Sequence, residues 1–354
     1  MPVSESSLIR LKNLPLEKVR EAIIGAGEPA FRAKQVIKWI YQKRVGSFDA
    51  MNNIAKTTRQ KLAGLFTIEK LAVAAVCPSK NNDAVKFGFK LIDTPYLVES
   101  VLLIDGDRRT ACLSSQLGCG LGCTFCETGR LGFIRNLTQE EIVGQIIGIN
   151  DYLAEHSDKL VTNIVFMGMG EALSNFDNFR SSLAIIMDND CFNIGGRRIT
   201  VSTAGVVPSI ERLMAEGLNV GLAISLNAFS NRQRSSIMPI NKKYPLESLV
   251  EIAQRYFEKT GRRVTFEYVV IEGENDTPEA AHALKKLLGT VTCKINLIPV
   301  NPTSGSAVAP PSRHRLVEFA DRLHSLGLSA TVRTSRGSDI GGACGQLTAR
   351  EIIK

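Results

Sequence analysis

The sequence predicts an α/β fold: a strand-then-helix unit repeated six times, preceded by a small helical domain and a short β extension. Three observations predict it. From Cys112 onward, short runs of apolar and β-branched residues alternate with stretches whose apolar residues recur at helical spacing. Helix punctuation agrees with that alternation: Thr138-x-x-Glu141 is a capping box, Thr277 precedes Pro278 as N-cap and first-turn proline, and Gly217, Gly261 and Gly327 lie just past helix ends. A chain of 354 residues, 44% hydrophobic and 22% charged, can bury one large core and a smaller one.

In chain order, residues 1–65 read as helical, with helices over 16–24 and 31–43 and a Lys/Arg-bearing segment ending near Leu65. Residues 66–111 form the extension, where Val73, Val76, Val85, Phe87, Phe89, Val98, Val101 and Leu103 alternate with polar residues as in antiparallel strands. Residues 112–354 hold the repeat. Its strands are expected at 112–116, 163–167, 198–202, 220–226, 264–271 and 294–299, and its helices at 139–153, 178–188, 208–216, 246–260, 278–288 and 313–326. A repeated βα unit means a parallel sheet, open or closed, that gathers ligands at the C-terminal strand ends.

The net charge of +8 is unevenly spread: residues 1–61 carry twelve Lys/Arg against five Asp/Glu, so nearly all the surplus is N-terminal. Such a field suits a polyanion such as RNA, because neutralised phosphates release counterions. A solvated basic helix face fits the same charges. Met1 to Leu14 has no leader pattern and no apolar run reaches the roughly 18 residues of a membrane span, so a cytoplasmic protein without a membrane partner is expected.

Eight cysteines in a chain this large, without a secretion signal, do not read as a disulfide scaffold. Cys119-x3-Cys123-x2-Cys126 sits in a glycine-rich loop and requires a metal or redox explanation. Structural zinc normally takes four ligands, and no second pair or nearby His is present. Three thiolates on an iron-sulfur cluster leave one iron open, which can chelate the amino and carboxylate groups of S-adenosylmethionine (SAM). A non-catalytic RNA-binding protein with a structural metal is the competing class. Cys77, Cys191 and Cys293 match no motif and read as packing residues.

The trio, with Phe125 before its last cysteine, resembles the signature of the radical SAM superfamily. Five further motifs sharpen the likeness: Cys112-Leu-Ser-Ser-Gln-x-Gly-Cys119, Gly168-Met-Gly-Glu171, Met238-Pro-Ile-Asn-Lys-Lys, Asn296-Leu-Ile-Pro and Ala343-Cys-Gly-Gln-Leu347. Together with Phe31-Arg-Ala-Lys-Gln-Val-Ile-Lys-Trp-Ile-Tyr41, they are similar to the RlmN/Cfr family of RNA adenine methyltransferases. The likeness covers essentially the whole chain. It implies a partial (β/α)6 barrel, an N-terminal RNA-contacting domain, and methylation at C2 of an adenosine in 23S rRNA and tRNA. The cofactors implied are a [4Fe-4S] cluster on Cys119, Cys123 and Cys126 and two SAM per turnover. An electron donor such as flavodoxin or ferredoxin is implied, and the chain is expected to be a monomer.

Residue by residue, the resemblance makes Gly170 and Glu171 contacts to the SAM amine, Ser202 and Ser225 contacts to its ribose or carboxylate, and Asn301 a ribose contact. It also implies that Cys344 is methylated and that a radical from a second SAM removes hydrogen from the methyl thioether. The carbon radical adds to the base. Cys112 then releases the product by forming a disulfide with Cys344, and Glu99 matches a family acid placed near the base. Two positions depart from the pattern: Ala172 replaces a usual proline and is shared with the adenine-C8 branch, and Asn227 stands at a cofactor-binding position where many members have His. The Lys-Trp-Ile-Tyr41 helix and Phe266-Glu-Tyr-Val269 look more like the C2 branch.

Overall fold

The computed structural model describes residues 8–303 and 310–351, so the first seven residues of the N-terminal segment lie outside it. Strand β1 (Ile9–Arg10) pairs in parallel with β2 (Phe66–Thr67), and between them lie helices α1 (Leu16–Gly25), α2 (Ala30–Tyr41) and α3 (Lys56–Ala63). Val36, Ile37, Ile40 and Tyr41 form the buried face of α2, the helical spacing seen in the sequence.

Strands β3 (Ala72–Pro78), β4 (Ala84–Lys90), β5 (Tyr96–Asp105) and β6 (Arg108–Cys112) form an antiparallel run. The short hairpin β7 (Gln116–Gly118) and β8 (Phe133–Asn136) encloses the one-turn helix α4 (Glu127–Arg130). The βα units follow: α5 (Gln139–His156), β9 (Asn163–Phe166), α6 (Phe176–Met187), β10 (Ile199–Thr203), α7 (Val207–Ala215), β11 (Gly221–Ser225), α8 (Asn231–Ile237), α9 (Leu246–Thr260) and β12 (Val264–Val270). The chain continues through α10 (Pro278–Leu288), β13 (Cys293–Pro299), α11 (Arg313–Ser325), β14 (Ala330–Val332) and β15 (Arg350–Glu351).

One sheet runs β14-β13-β12-β11-β10-β9-β6-β5-β4-β3, with β15 added antiparallel to β5. Strands β6 and β9 to β14 are parallel neighbours, and among the described residues no pairing joins β14 to β3. The sheet is therefore an arc, a partial barrel, with its apolar core against the crossover helices. The capping box at Thr138 is formed, and Thr277 caps α10 ahead of Pro278.

Three expectations change. The strand expected at 112–116 lies instead at β6, which ends on Cys112, because Ser114 turns its backbone N–H to Gln145 and its hydroxyl to the Glu99 carbonyl. β6 is thus at once the last antiparallel strand and the first parallel one. A seventh parallel strand, β14, was too short to read, as were α8 and the β7–β8 hairpin. Cys77 is exposed on the edge strand β3 and does not pack; Cys191 is buried and Cys293 half-buried.

A second core joins the N-terminal helices to the barrel through Val143 and Ile147 of α5 and Ile185 of α6. Polar ties reinforce it. Arg10 grips Glu140 at 2.8 and 2.9 Å, Arg44 and Lys70 meet Asp151 at 3.0 and 2.6 Å, and Lys34 and Lys38 both reach Asp190 at 3.6 and 3.4 Å. Two lysines that the sequence offers to RNA are therefore partly engaged by the barrel, while Lys43 and the aromatic face of Phe31 stay exposed.

Candidate active site

Inside the arc lies a cavity of about 630 Å³. Eleven of the twelve candidate residues line it, and Glu99 is the exception. Inward-facing residues alternate along each strand, so Ser202, Ser225 and Asn227 arrive at or just beyond the C-terminal ends of β10 and β11.

The three-cysteine loop is braced on each side. Gly118 begins it at φ +75°, where an added Cβ would lie 1.8 Å from the Gly132 carbonyl oxygen, and Cys119 donates its N–H to that oxygen at 2.9 Å. Thr124 N–H donates to Ile237 O at 3.0 Å, tying the loop to α8. Burial pushes the Cys119 thiol up to about 11 and the Cys123 thiol up to about 12, with thiolate neighbours adding to both shifts, and the Cys126 thiol is raised in the same way. The thiols thus converge where negative charge is disfavoured until a cation arrives. Among the described residues no three His, Cys, Asp or Glu side chains stand close enough to hold one metal ion. Ligands of a single zinc lie about 4 Å apart, given Zn–S near 2.3 Å. Three thiolates leave one iron of a cubane cluster open, whereas a structural zinc normally takes four ligands, so this donor set suits a cluster.

Next to the loop, Gly170 has φ +90°, and a Cβ there would meet Gln116 Cβ at 2.4 Å, which makes glycine obligatory before Glu171. The Glu171 side chain is buried; its Oε2 accepts from Ala204 N–H at 2.8 Å, while Oε1 has no partner. Burial raises this carboxyl to about 7. An orphaned, buried carboxylate oxygen beside the cluster loop fits the ammonium of SAM. The hydroxyls of Ser202 and Ser225 have no partner among the described residues and also face the cavity. Asn301 and Asn227 are already engaged: Asn301 Nδ2 donates to the Cys344 carbonyl at 3.0 Å, and Asn227 Oδ1 accepts from Val269 N–H at 3.0 Å. Ala172 is buried in the core and does not reach the cavity.

Cys344 reaches the cavity on a C-terminal loop stitched to the cluster loop. Glu127 N–H donates to Gly345 O at 2.8 Å, and Thr128 Oγ1 donates to Leu347 O at 2.6 Å. Cys344 is exposed and Cys112 buried, and all eight cysteines are free thiols. Burial pushes the Cys112 thiol up to about 12; the Cys344 thiolate adds to the shift, and the Arg333 guanidinium and the Met167 amide oppose it. Glu99 is buried on β5, paired with Lys86 at 3.0 Å, and its Oε2 accepts from Thr348 N–H at 3.0 Å.

Three residues escaped the sequence reading. Arg333 lies near Cys112, Cys344 and Glu267, and its charged form is favoured first by the Cys344 thiolate. Arg234 on α8 is fully buried and donates to the carbonyls of Ala204, Ser225, Leu226 and Tyr244 and to Asn241 Oδ1; no carboxylate lies within ion-pair distance among the described residues. Glu267 faces the cavity from β12. Only Glu267 left a signal, as a carboxylate in an otherwise apolar strand.

Comparison with known proteins adds independent support. Residues 9–68 match the ribosomal RNA large subunit methyltransferase N-terminal domain, and residues 113–284 match the radical SAM superfamily. The probable dual-specificity RNA methyltransferase RlmN 2 of Protochlamydia amoebophila is 43% identical over 335 residues, 95% of this chain and 93% of its own. The dual-specificity RNA methyltransferase RlmN of Desulfotalea psychrophila is 42% identical over 352 residues, 98% of this chain and 96% of its own. The crystal structure of a radical SAM methyltransferase from Sphaerobacter thermophilus superposes with a TM-score of 0.91 at 41% identity, covering 96% of this chain and 99% of that one. With a three-cysteine loop, a partial barrel and near full-length identity above 40%, this chain belongs to the RlmN family of radical SAM RNA methyltransferases.

Proposed function

We propose that the chain methylates C2 of adenosine in 23S rRNA and tRNA, carrying the methyl group on Cys344. The observation that carries this reading is that Cys344 and Cys112 open into the same cavity as the three-cysteine loop. Adenine C2 is an electron-poor sp2 carbon and cannot attack a sulfonium methyl as an amine does. The methyl must first be placed on a protein nucleophile and then activated as a radical.

A [4Fe-4S] cluster on Cys119, Cys123 and Cys126 with SAM bound supplies the methyl group and, from a second SAM, the one-electron chemistry that makes it reactive. Glu171 holds the SAM amine through its unpartnered Oε1, and Ser202 and Ser225 orient the remainder. Cys344 accepts the methyl from its exposed position, with the Arg333 guanidinium nearby. After carbon–carbon bond formation the adduct would lose the C2 proton and return one electron to the redox group that supplied it. The Cys112 thiolate then attacks the Cys344 sulfur, and the S–C electron pair leaves with the product carbon, which takes up a proton to become the methyl group. The Cys112–Cys344 disulfide awaits reduction. A small one-electron carrier such as flavodoxin or ferredoxin feeds the cluster. Residues 1–65 carry RNA-contacting cations, and residues 112–354 form the catalytic barrel.

The test is anaerobic reconstitution with iron and sulfide, followed by reaction with SAM and transcribed RNA. Nucleoside mass spectrometry should find 2-methyladenosine. 8-Methyladenosine, or no methylation by a brown protein with about four irons per chain, would overturn the reading.

A further inference from the structure

We propose that Glu267 grips the exocyclic amine of the substrate adenine and so sets which base is methylated. The inference rests on the methyltransferase reading. On β12, Thr265, Glu267 and Val269 face the cavity, and Glu267 is the only charged one. It stands in register with Ser225 on β11 and Asn296 on β13, one rung below Val269.

The carboxylate is aimed. Its Oε1 accepts from Asn296 Nδ2 at 3.2 Å, and Asn296 Oδ1 accepts from Thr331 Oγ1 at 2.6 Å, so the amide cannot turn without losing both bonds. Oε2 is buried and has no donor, and the residue is 6% exposed. A buried carboxylate oxygen without a donor is costly, and Glu267 lines the cavity.

The electrostatic neighbourhood says which ligand completes it. Around the cavity, Glu171 acts on Cys119 and Cys123, and Arg333 lies among Cys112, Cys344 and Glu267. The base to be methylated has to lie against Cys344, and Arg333 neighbours both Cys344 and Glu267. On an adenine the Watson–Crick edge carries C2 at one side of N1 and the amine at the other. A group that accepts from the amine therefore fixes C2. Guanine would present a carbonyl oxygen to the same carboxylate and an amine at C2, and both features oppose binding.

The experiment uses hairpin RNAs carrying adenosine, purine riboside without the amine, or inosine at the target position. Equilibrium affinity for each is measured with the full-length protein, alongside SAM binding by the reconstituted enzyme. Wild type should bind the adenosine hairpin about tenfold or more tightly than the purine riboside hairpin. Glu267→Ala should bind the two alike, with SAM affinity unchanged. Glu267→Gln, close in shape and safe for folding, should accept inosine because its amide can donate to the carbonyl. Equal binding of the adenosine and purine riboside hairpins by wild type would overturn the proposal. So would a loss of SAM affinity in Glu267→Ala, which would move the contact to the cofactor's own adenosyl group. Failure of wild type to methylate any RNA counts against the methyltransferase reading and leaves the affinity comparison to decide on Glu267.

Discussion

Thr348 donates its backbone N–H to Glu99 at 3.0 Å, and through that bond strand β5 holds the loop that carries Cys344. Lys86 completes the clasp, pairing with Glu99 at 3.0 Å and reaching the Gly341 carbonyl at 3.4 Å. Removing one partner of a buried ion pair typically costs about 3–5 kcal/mol, whereas replacing both by apolar residues is often near neutral. Glu99→Ala should therefore lower stability in chemical denaturation and expose the 341–348 loop to protease, and Lys86→Met with Glu99→Met should recover most of the loss. If Glu99 also handles the C2 proton, that double variant will fold and cleave SAM yet fail to release methylated RNA. Full turnover by it would confine Glu99 to the clasp.

Cys112→Ala isolates the release step. Cys344 is still methylated and still joined to adenine, but no thiol remains to attack its sulfur. The variant should be recovered with RNA that survives denaturation, and peptide mass spectrometry should place adenosine on the Cys344 peptide. A packing role predicts only modest destabilisation and normal turnover. An adduct that persists in Cys112→Ala with Cys344→Ala would show the two roles to be wrong.

The ion pairs of Asp190 with Lys34 and Lys38 hold two cations against the barrel. Exposed pairs of this kind contribute about 1 kcal/mol or less, so Asp190→Asn should leave the fold intact. It should also tighten RNA binding and steepen its salt dependence, because both lysines are freed for phosphates. Lys43→Glu should weaken binding and flatten that slope. Unchanged slopes in both variants would return these side chains to a solvated face.

Lys12 carries a pH dependence of its own. It is buried against Glu69, and burial lowers its ammonium from 10.5 to about 8. A base depressed in the folded state contributes stability above its unfolded value that is lost as pH falls through the folded one. Wild type should gain up to about 3 kcal/mol relative to Lys12→Met as pH rises from 8 to 10.5. Parallel stability curves for the two proteins would show that the ammonium is not desolvated.

Most helices and strands were legible because their apolar spacing and caps act locally: α9 and α10 begin and end where periodicity and Thr277-Pro278 place them. The Cys112 region was misplaced because Ser114 leaves the strand for partners on β5 and α5, contacts that no local pattern encodes. The cysteine trio was legible since its chemistry lies within one loop. Arg234 was not, because it serves strand ends brought beside it only by the fold.

Arg234 also bears on how the protein is made. A guanidinium sealed among carbonyl oxygens, lowered by burial to about 10 and favoured electrostatically by Cys123, has no carboxylate within ion-pair distance among the described residues. A negatively charged group held by the cysteine loop would favour it further, which would couple loading of the loop to survival of the fold. Iron scarcity should then show itself in a cell first as a shorter lifetime of this polypeptide, before any shortage of methylated RNA is felt.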